Sequence, residues 1–262
     1  MEIDSLLLVP IFFTVALFYS IAGFGGGSSY LTILALSGIE FGIIRFIGLI
    51  CNIVVVTSGS LIFYKYKYLN LKNAIPFVIL SIPMAFLGGK WQITENSFFI
   101  LLGITLLIVA ILLWFSQSIQ SKKSFLQKKF NIKNHQYSWL IKLLIGGVIG
   151  FISGLVGIGG GIFLSPILYL IHWDKAKNIA ALSSFFILVN SLSGLTGQLL
   201  QNSLFNNLKI HFYLIILLVI AVFIGGQIGS RLSATKINPF LIKKLTAILI
   251  LIVSLRILNQ YL

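Results

Sequence analysis

The sequence predicts an all-α membrane protein: a polytopic helical bundle of two inverted-topology repeats, each opening with a glycine-broken or re-entrant helix. Three observations carry that prediction. Of 262 residues, 58% are hydrophobic and 9% are charged, with a mean hydropathy of +1.05, whereas a soluble domain is about 25% charged. The apolar residues fall in runs long enough to span a bilayer. A G-x-G-G-G run occurs once in each half of the chain.

The same composition excludes other classes. Nineteen Lys+Arg stand against five Asp+Glu, a net charge of +14. Such a balance in a soluble protein points to nucleic acid. Here too few polar residues remain to build a solvated basic face, and the cations lie between apolar runs, so they read as loops on the cytoplasmic side of a lipid bilayer, with no nucleic-acid partner. The single cysteine, Cys51, rules out an intrachain disulfide and a multi-cysteine metal site.

A spanning helix takes about 20 mostly apolar residues, and apolar segments occur at 5–38, 45–63, 74–91, 98–116, 139–171, 178–200, 211–230 and 241–261. The first does not read as a signal peptide: Glu2 and Asp4 precede it, Lys and Arg do not. Gln117 to Tyr137 is the one long polar stretch and carries Lys122, Lys123, Lys128, Lys129 and Lys133. The chain therefore divides into a first transmembrane repeat at 1–116, a basic cytoplasmic linker at 117–138 and a second transmembrane repeat at 139–262. Glu2, Asp4, Glu40, Glu95 and Asp174 all lie near segment ends, as do His135, His172 and His211. With no carboxylate or histidine at mid-span, a proton relay, a buried metal site and acid–base enzyme chemistry all lack their residues. No P-loop is present, and the residues after Gly23 do not complete G-x-G-x-x-G. The chain is read as neither an enzyme nor a cofactor protein.

The halves repeat each other. Ala22-Gly23-Phe24-Gly25-Gly26-Gly27-Ser28 corresponds to Val156-Gly157-Ile158-Gly159-Gly160-Gly161-Ile162 at an offset of 134, Ser58-Gly59 to Ser193-Gly194 at 135, and Gly88-Gly89 to Gly225-Gly226 at 137. Three pairs in one order mark a duplication. Segments 5–38 and 139–171 are too long for one ordinary span and too short for two. Clustered glycines release the backbone into left-handed conformations and weaken helix, so each segment is expected to be a helix, a break and a shorter helix. The Gly88-Gly89 and Gly225-Gly226 pairs read instead as close helix packing. Charge supports the breaks. If each long segment returns to its starting side, fifteen of the nineteen cations lie inside, leaving only Arg45, Lys90, Lys209 and Arg256 outside. Each half then nets three crossings and the halves face opposite ways, the pattern of secondary transporters with discontinuous helices.

On these motifs the chain resembles the sulfite exporter TauE/SafE family of bacterial membrane permeases. The stretch Gly157 to Pro166 and the small-residue helix Ala180-Ala181-Leu182-Ser183-Ser184, leading to Asn190 and Ser193-Gly194, carry the likeness. The first half departs from it, with Thr32 where Pro166 stands and Arg45 preceding Cys51-Asn52. The resemblance implies a multi-pass protein of the bacterial inner membrane that moves a small sulfur-containing anion such as sulfite or an organosulfonate. The residues agree with an anion. A glycine break before a helix presents backbone N–H groups and the positive end of a helix dipole. The expected substrate-binding residues are Gly25, Gly26, Gly27, Ser28 and Ser29 at the first break, Gly159, Gly160 and Gly161 at the second, and Asn52, Ser184 and Asn190 on the helices that follow. Ile162 and Phe163 replace the two serines in the second half, so the site should be asymmetric. The plainer reading of the hydroxyls and amides is interhelical hydrogen bonding. Arg45 is a candidate for attracting or gating the anion, its plainer role being to snorkel to the interface. Trp91, Trp114, Trp139 and Trp173 sit near segment ends, where tryptophan anchors helices in the interface. The leading function is a secondary transporter, an exporter, working by alternating access about the two breaks. The alternative is a membrane assembly factor or channel-like partner subunit on the same fold. Its partners are a small anion and the lipid bilayer, and a homodimer is compatible with the sequence.

Overall fold

The computed structural model describes residues 5–37, 39, 41–91, 93–118, 135–171, 173–200 and 212–235, with 247, 248, 251, 252, 254, 255 and 257–259 near the end of the chain. Every regular element among them is helical: α1 Ser5–Ile21, α2 Gly27–Leu36, α3 Phe41–Lys65, α4 Leu71–Lys90, α5 Glu95–Ser118, α6 His135–Val156, α7 Gly161–Leu170, α8 Ala176–Leu199 and α9 Phe212–Thr235. Five of them, α3, α4, α6, α8 and α9, contain windows long and apolar enough to cross a membrane. Most of the basic linker and of the last apolar segment lies outside the described residues.

Both long segments break where the glycines predict. α1 stops at Ile21 and α2 starts at Gly27; α6 stops at Val156 and α7 starts at Gly161. Several helices run a few residues past the apolar runs, as at both ends of α3 and α5. Asn70 Oδ1 accepts the Lys72 N–H at 3.1 Å to open α4, and Lys65 and Lys90 lie in the last turns of α3 and α4, where a cation faces the negative end of the dipole.

The halves are interleaved. α4 of the first half lies along α6 and α8 of the second; α9 of the second lies along α1 and α3 of the first; α3 and α8 pack on each other. α3 and α8 are accordingly the most enclosed spans, with 61% and 67% of their apolar windows buried, against 39%, 39% and 33% for α4, α6 and α9. Glycine makes these crossings close. A Cβ on Gly146, Gly150 or Gly154 would run into the backbone of Phe77, Ser81 or Ala85 on α4, and one on Gly88 into that of Phe151. Gly225 and Gly229 sit in the same way against Phe13 and Leu17 on α1. The paired glycines are therefore packing residues, as their isolation in otherwise helical sequence suggests.

The outer faces suit lipid. Ile75, Ile79, Ile82, Leu144, Val148, Phe223 and Ile224 are all exposed, a surface that water does not tolerate and hydrocarbon does. At one end of the bundle, Lys177 Nζ donates to the Ala234 carbonyl at 2.9 Å and lies 5.2 Å from the Tyr68 ring. This contact joins three regions that the charge pattern assigns to the same side. The structure is thus a helical, multi-pass membrane bundle.

Candidate anion site at the two glycine breaks

Each break is built from the backbone up. At the end of α1, the N–H of Phe24 donates to the Tyr19 carbonyl at 2.9 Å and that of Gly23 to Ser20 at 3.1 Å, with Gly23 at φ +83°. This closes the helix with a left-handed glycine. At the end of α6, Ile158 N–H reaches the Ser153 carbonyl at 3.3 Å, with Gly157 at φ +73°. Each shorter helix then starts from a further left-handed glycine, Gly26 at φ +90° and Gly160 at φ +79°, which has no side chain to cap it; in the second break Gly159, at φ +73°, is left-handed as well. The non-helical residues are almost wholly enclosed by protein, which is the condition for irregular backbone at membrane depth.

Matching glycines meet matching neighbours in the two halves. Gly25 and Gly27 lie against Asn52, and Gly159 and Gly161 lie against Ile187, which stands at the position 135 residues after Asn52. Gly23 packs against the backbone of Ala180 at the start of α8; its counterpart Gly157 faces Arg45, 135 residues before Ala180. Each break is thus seated on the third helix of its own half and the third helix of the other.

The two breaks share one small cavity. Its walls are Tyr19, Phe24, Gly25, Gly26, Gly27 and Ser28 from the first half and Ile158, Ile162 and Ile187 from the second. Its volume is about 10 Å³, the room of one water. The walls differ in kind. On the first-half side, Ser29 Oγ donates to Tyr19 Oη at 2.8 Å, and Asn52 Oδ1 accepts the Gly27 N–H at 2.9 Å. Ser28 Oγ, Asn52 Nδ2 and Tyr30 Oη are buried there with no hydrogen-bond partner among the described residues. Buried polar groups rarely go unsatisfied, so three in one neighbourhood mark a place where a ligand can complete the bonding. On the second-half side, isoleucines face the cavity.

Of the residues expected from sequence, the structure brings Gly25, Gly26, Gly27 and Ser28 to the cavity wall, with Asn52 and Ser29 directly behind them. Gly159, Gly160 and Gly161 lie behind Ile158 and Ile162, so the second break turns apolar side chains toward the cavity where bare amides were expected. Ser184 does not reach it: its hydroxyl accepts from Ser60 Oγ at 3.2 Å and donates to the Val56 carbonyl at 3.3 Å, linking α8 to α3. Asn190 Nδ2 donates to the Phe186 carbonyl of its own helix at 2.8 Å. Arg45 corrects one expectation. Its side chain does not snorkel to an interface; it is 4% exposed, Nη2 donates to the Gly154 carbonyl at 3.3 Å, and the guanidinium lies 5.7 Å from the Phe98 ring centroid. The last turn of α6, where carbonyls are left over at the negative end of the dipole, gives the buried cation its partner.

Sequence reading missed Tyr19 and Tyr30, which look like ordinary aromatic residues of apolar helices. It also missed Ser153 and Ser191, whose buried hydroxyls lie next to Gly160 and Gly159 and have no hydrogen-bond partner among the described residues. The offset that pairs the halves would have found Ile187 as the counterpart of Asn52.

The sulfite exporter TauE/SafE family model matches residues 8–257. The "probable membrane transporter protein y4hK" of Sinorhizobium fredii is 31% identical over 261 residues, covering 98% of this chain and all of that protein. A "probable membrane transporter protein" of Methanocaldococcus jannaschii is 28% identical, covering 91% of each chain. The "probable membrane transporter protein YunE" of Bacillus subtilis is 23% identical, covering 74% of this chain and 73% of that protein. No solved structure matches the chain. The match spans both glycine breaks and every helix built around them, and the chain belongs to the sulfite exporter TauE/SafE family of membrane transporters.

Proposed function

We propose that the protein is a secondary transporter that exports a small sulfur-containing anion, such as sulfite or an organosulfonate, across the bacterial inner membrane. The observation that carries this reading is the cavity shared by both breaks, with hydrogen-bond donors gathered on one wall. An anion there meets the start of α2, where the helix dipole is positive. It also meets Ser28 Oγ and the Tyr19 hydroxyl, which can donate outward while accepting from Ser29, with Asn52 Nδ2 directly behind them. Buried Arg45 adds a positive charge at the neighbouring end of α6.

At about 10 Å³ the cavity is too small for the anion in this conformation, so the anion enters when the two breaks separate. The interleaved halves supply the means: α4 with α6 and α9 with α1 form two like pairs around the α3–α8 contact, and rocking of one pair against the other opens the breaks to either side in turn. An interior-negative potential favours export of an anion by about 2.3 kcal/mol per charge for each 100 mV.

The experiment is flux from proteoliposomes loaded with radiolabelled sulfite or a sulfonate. Saturable efflux, abolished by Gly26→Val, is the expected result. Absence of saturable flux for every small anion tried overturns the transport reading and leaves the assembly-factor reading.

A further inference from the structure

We infer that the two halves divide the substrate between them: the first break holds an oxyanion headgroup, and Ile158, Ile162 and Ile187 of the second half select an anion carrying an aliphatic tail over a bare inorganic oxyanion. This inference rests on the transport reading above and specifies which residues set its selectivity.

The start of α2 is more than a helix terminus. Ser28 is 3% exposed and lines the cavity, and Asn52 is fully buried with its Nδ2 directly against Gly27; neither the Ser28 hydroxyl nor Asn52 Nδ2 has a hydrogen-bond partner among the described residues. These donors suit a carboxylate or a sulfonate equally, since both present oxygens at one end. The opposite wall differs by substitution at two of its three positions, Ile158 matching Phe24, which is apolar as well. Where the first half has Asn52 the second has Ile187, and where it has Ser28 the second has Ile162. All three isoleucines are nearly inaccessible, at 3%, 4% and 1% for Ile158, Ile162 and Ile187.

Sulfite is a pyramid with its three oxygens on one side. Held by them at the first wall, it turns only the sulfur lone pair to the isoleucines and gains no apolar burial there. An anion with an aliphatic tail turns carbon to the isoleucines and loses nothing there. Each methylene that reaches the apolar wall strengthens binding about fourfold.

The test is the concentration of competing anion that halves efflux of labelled methanesulfonate from wild-type proteoliposomes. The competitors are sulfite, ethane- and propanesulfonate, and acetate, propionate and butyrate. The expected result is a fall of about fourfold per added methylene in both tailed series, with sulfite the weakest competitor. The sulfonate and carboxylate arms separate the headgroups. Ile187→Asn and Ile162→Ser each copy the first half onto the second, and either should flatten the dependence on tail length and improve sulfite by tenfold or more. Ile187→Val keeps an apolar wall, should keep the order of competitors, and serves if the polar variants do not reach the membrane. Sulfite competing as well as propanesulfonate in the wild type overturns the inference and leaves the transport reading standing. Absence of saturable efflux for every anion overturns both.

Discussion

Asn52 Oδ1 accepts the N–H of Gly27 at 2.9 Å, so a residue of α3 caps the first turn of α2, a task that Gly26 at the N-cap position cannot perform. The bond ties the first break to the central span of its own half. It also orients the amide so that Nδ2 is left to donate. Asn52→Leu removes both roles, leaving the Gly27 N–H unpaired in the interior at a cost of about 1–3 kcal/mol. The expected outcome is loss of transport together with a lower midpoint in thermal denaturation. Ile187→Leu at the matching position of α8 should change the midpoint little. Efflux assays and a melting curve in detergent on the two variants check the contrast.

Gly26 and Gly160 hold φ values of +90° and +79° at the starts of α2 and α7. A branched residue is strained there whatever the space around it. Gly26→Val and Gly160→Val should abolish efflux while the protein still inserts into the membrane, measured as protein level in the membrane fraction. Efflux above a tenth of wild type in both variants would show that the breaks are not the moving parts.

Gly150 and Gly154 act differently. They have helical neighbours and lie against Ser81 and Ala85 on α4. Gly150→Leu or Gly154→Leu forces α4 and α6 apart. These variants should lower the amount of monodisperse protein on size-exclusion chromatography, with transport falling in proportion and no change in the half-saturating concentration. A selective transport defect with normal yield would contradict the packing role.

Arg45 is a buried cation held by the Gly154 carbonyl and the Phe98 ring. Arg45→Met keeps the bulk and removes the charge. If the charge draws the anion in, the half-saturating concentration should rise about tenfold or more, and the dependence of efflux rate on ionic strength should weaken. Arg45→Lys should restore part of the loss. An unchanged half-saturating concentration in Arg45→Met would confine Arg45 to holding α3 against α6.

Much of this was legible beforehand because few forces shape a chain in lipid. The breaks at Gly23–Gly27 and Gly157–Gly161 could be read because a segment of that length cannot be one straight span and three consecutive glycines exceed what a packing face needs. The packing role of Gly88 and Gly225 followed from their isolation. The site was less legible. Asn52 and Asn190 look alike as amides in apolar helices, yet one caps α2 and the other bonds within its own turn. Ser28 and Ser184 look alike as hydroxyls, yet one lines the cavity and the other bridges α8 to α3. Which face a side chain takes depends on how the helices are rotated against each other, and hydropathy carries no record of that rotation.

Composition by itself determined that the chain is a helical bundle in a bilayer, because a backbone without water must satisfy its own hydrogen bonds and a helix does so locally. Glycine spacing determined where two of those helices break. Only the tertiary structure decided that the breaks meet, that Ile187 lines their shared cavity while its counterpart Asn52 stands behind the first wall, and that Arg45 turns inward. Those outcomes follow from long-range packing of α3 against α8, where close contact across glycine and serine sets the register of the two halves. Contacts between residues more than a hundred positions apart are not written in any local run of sequence.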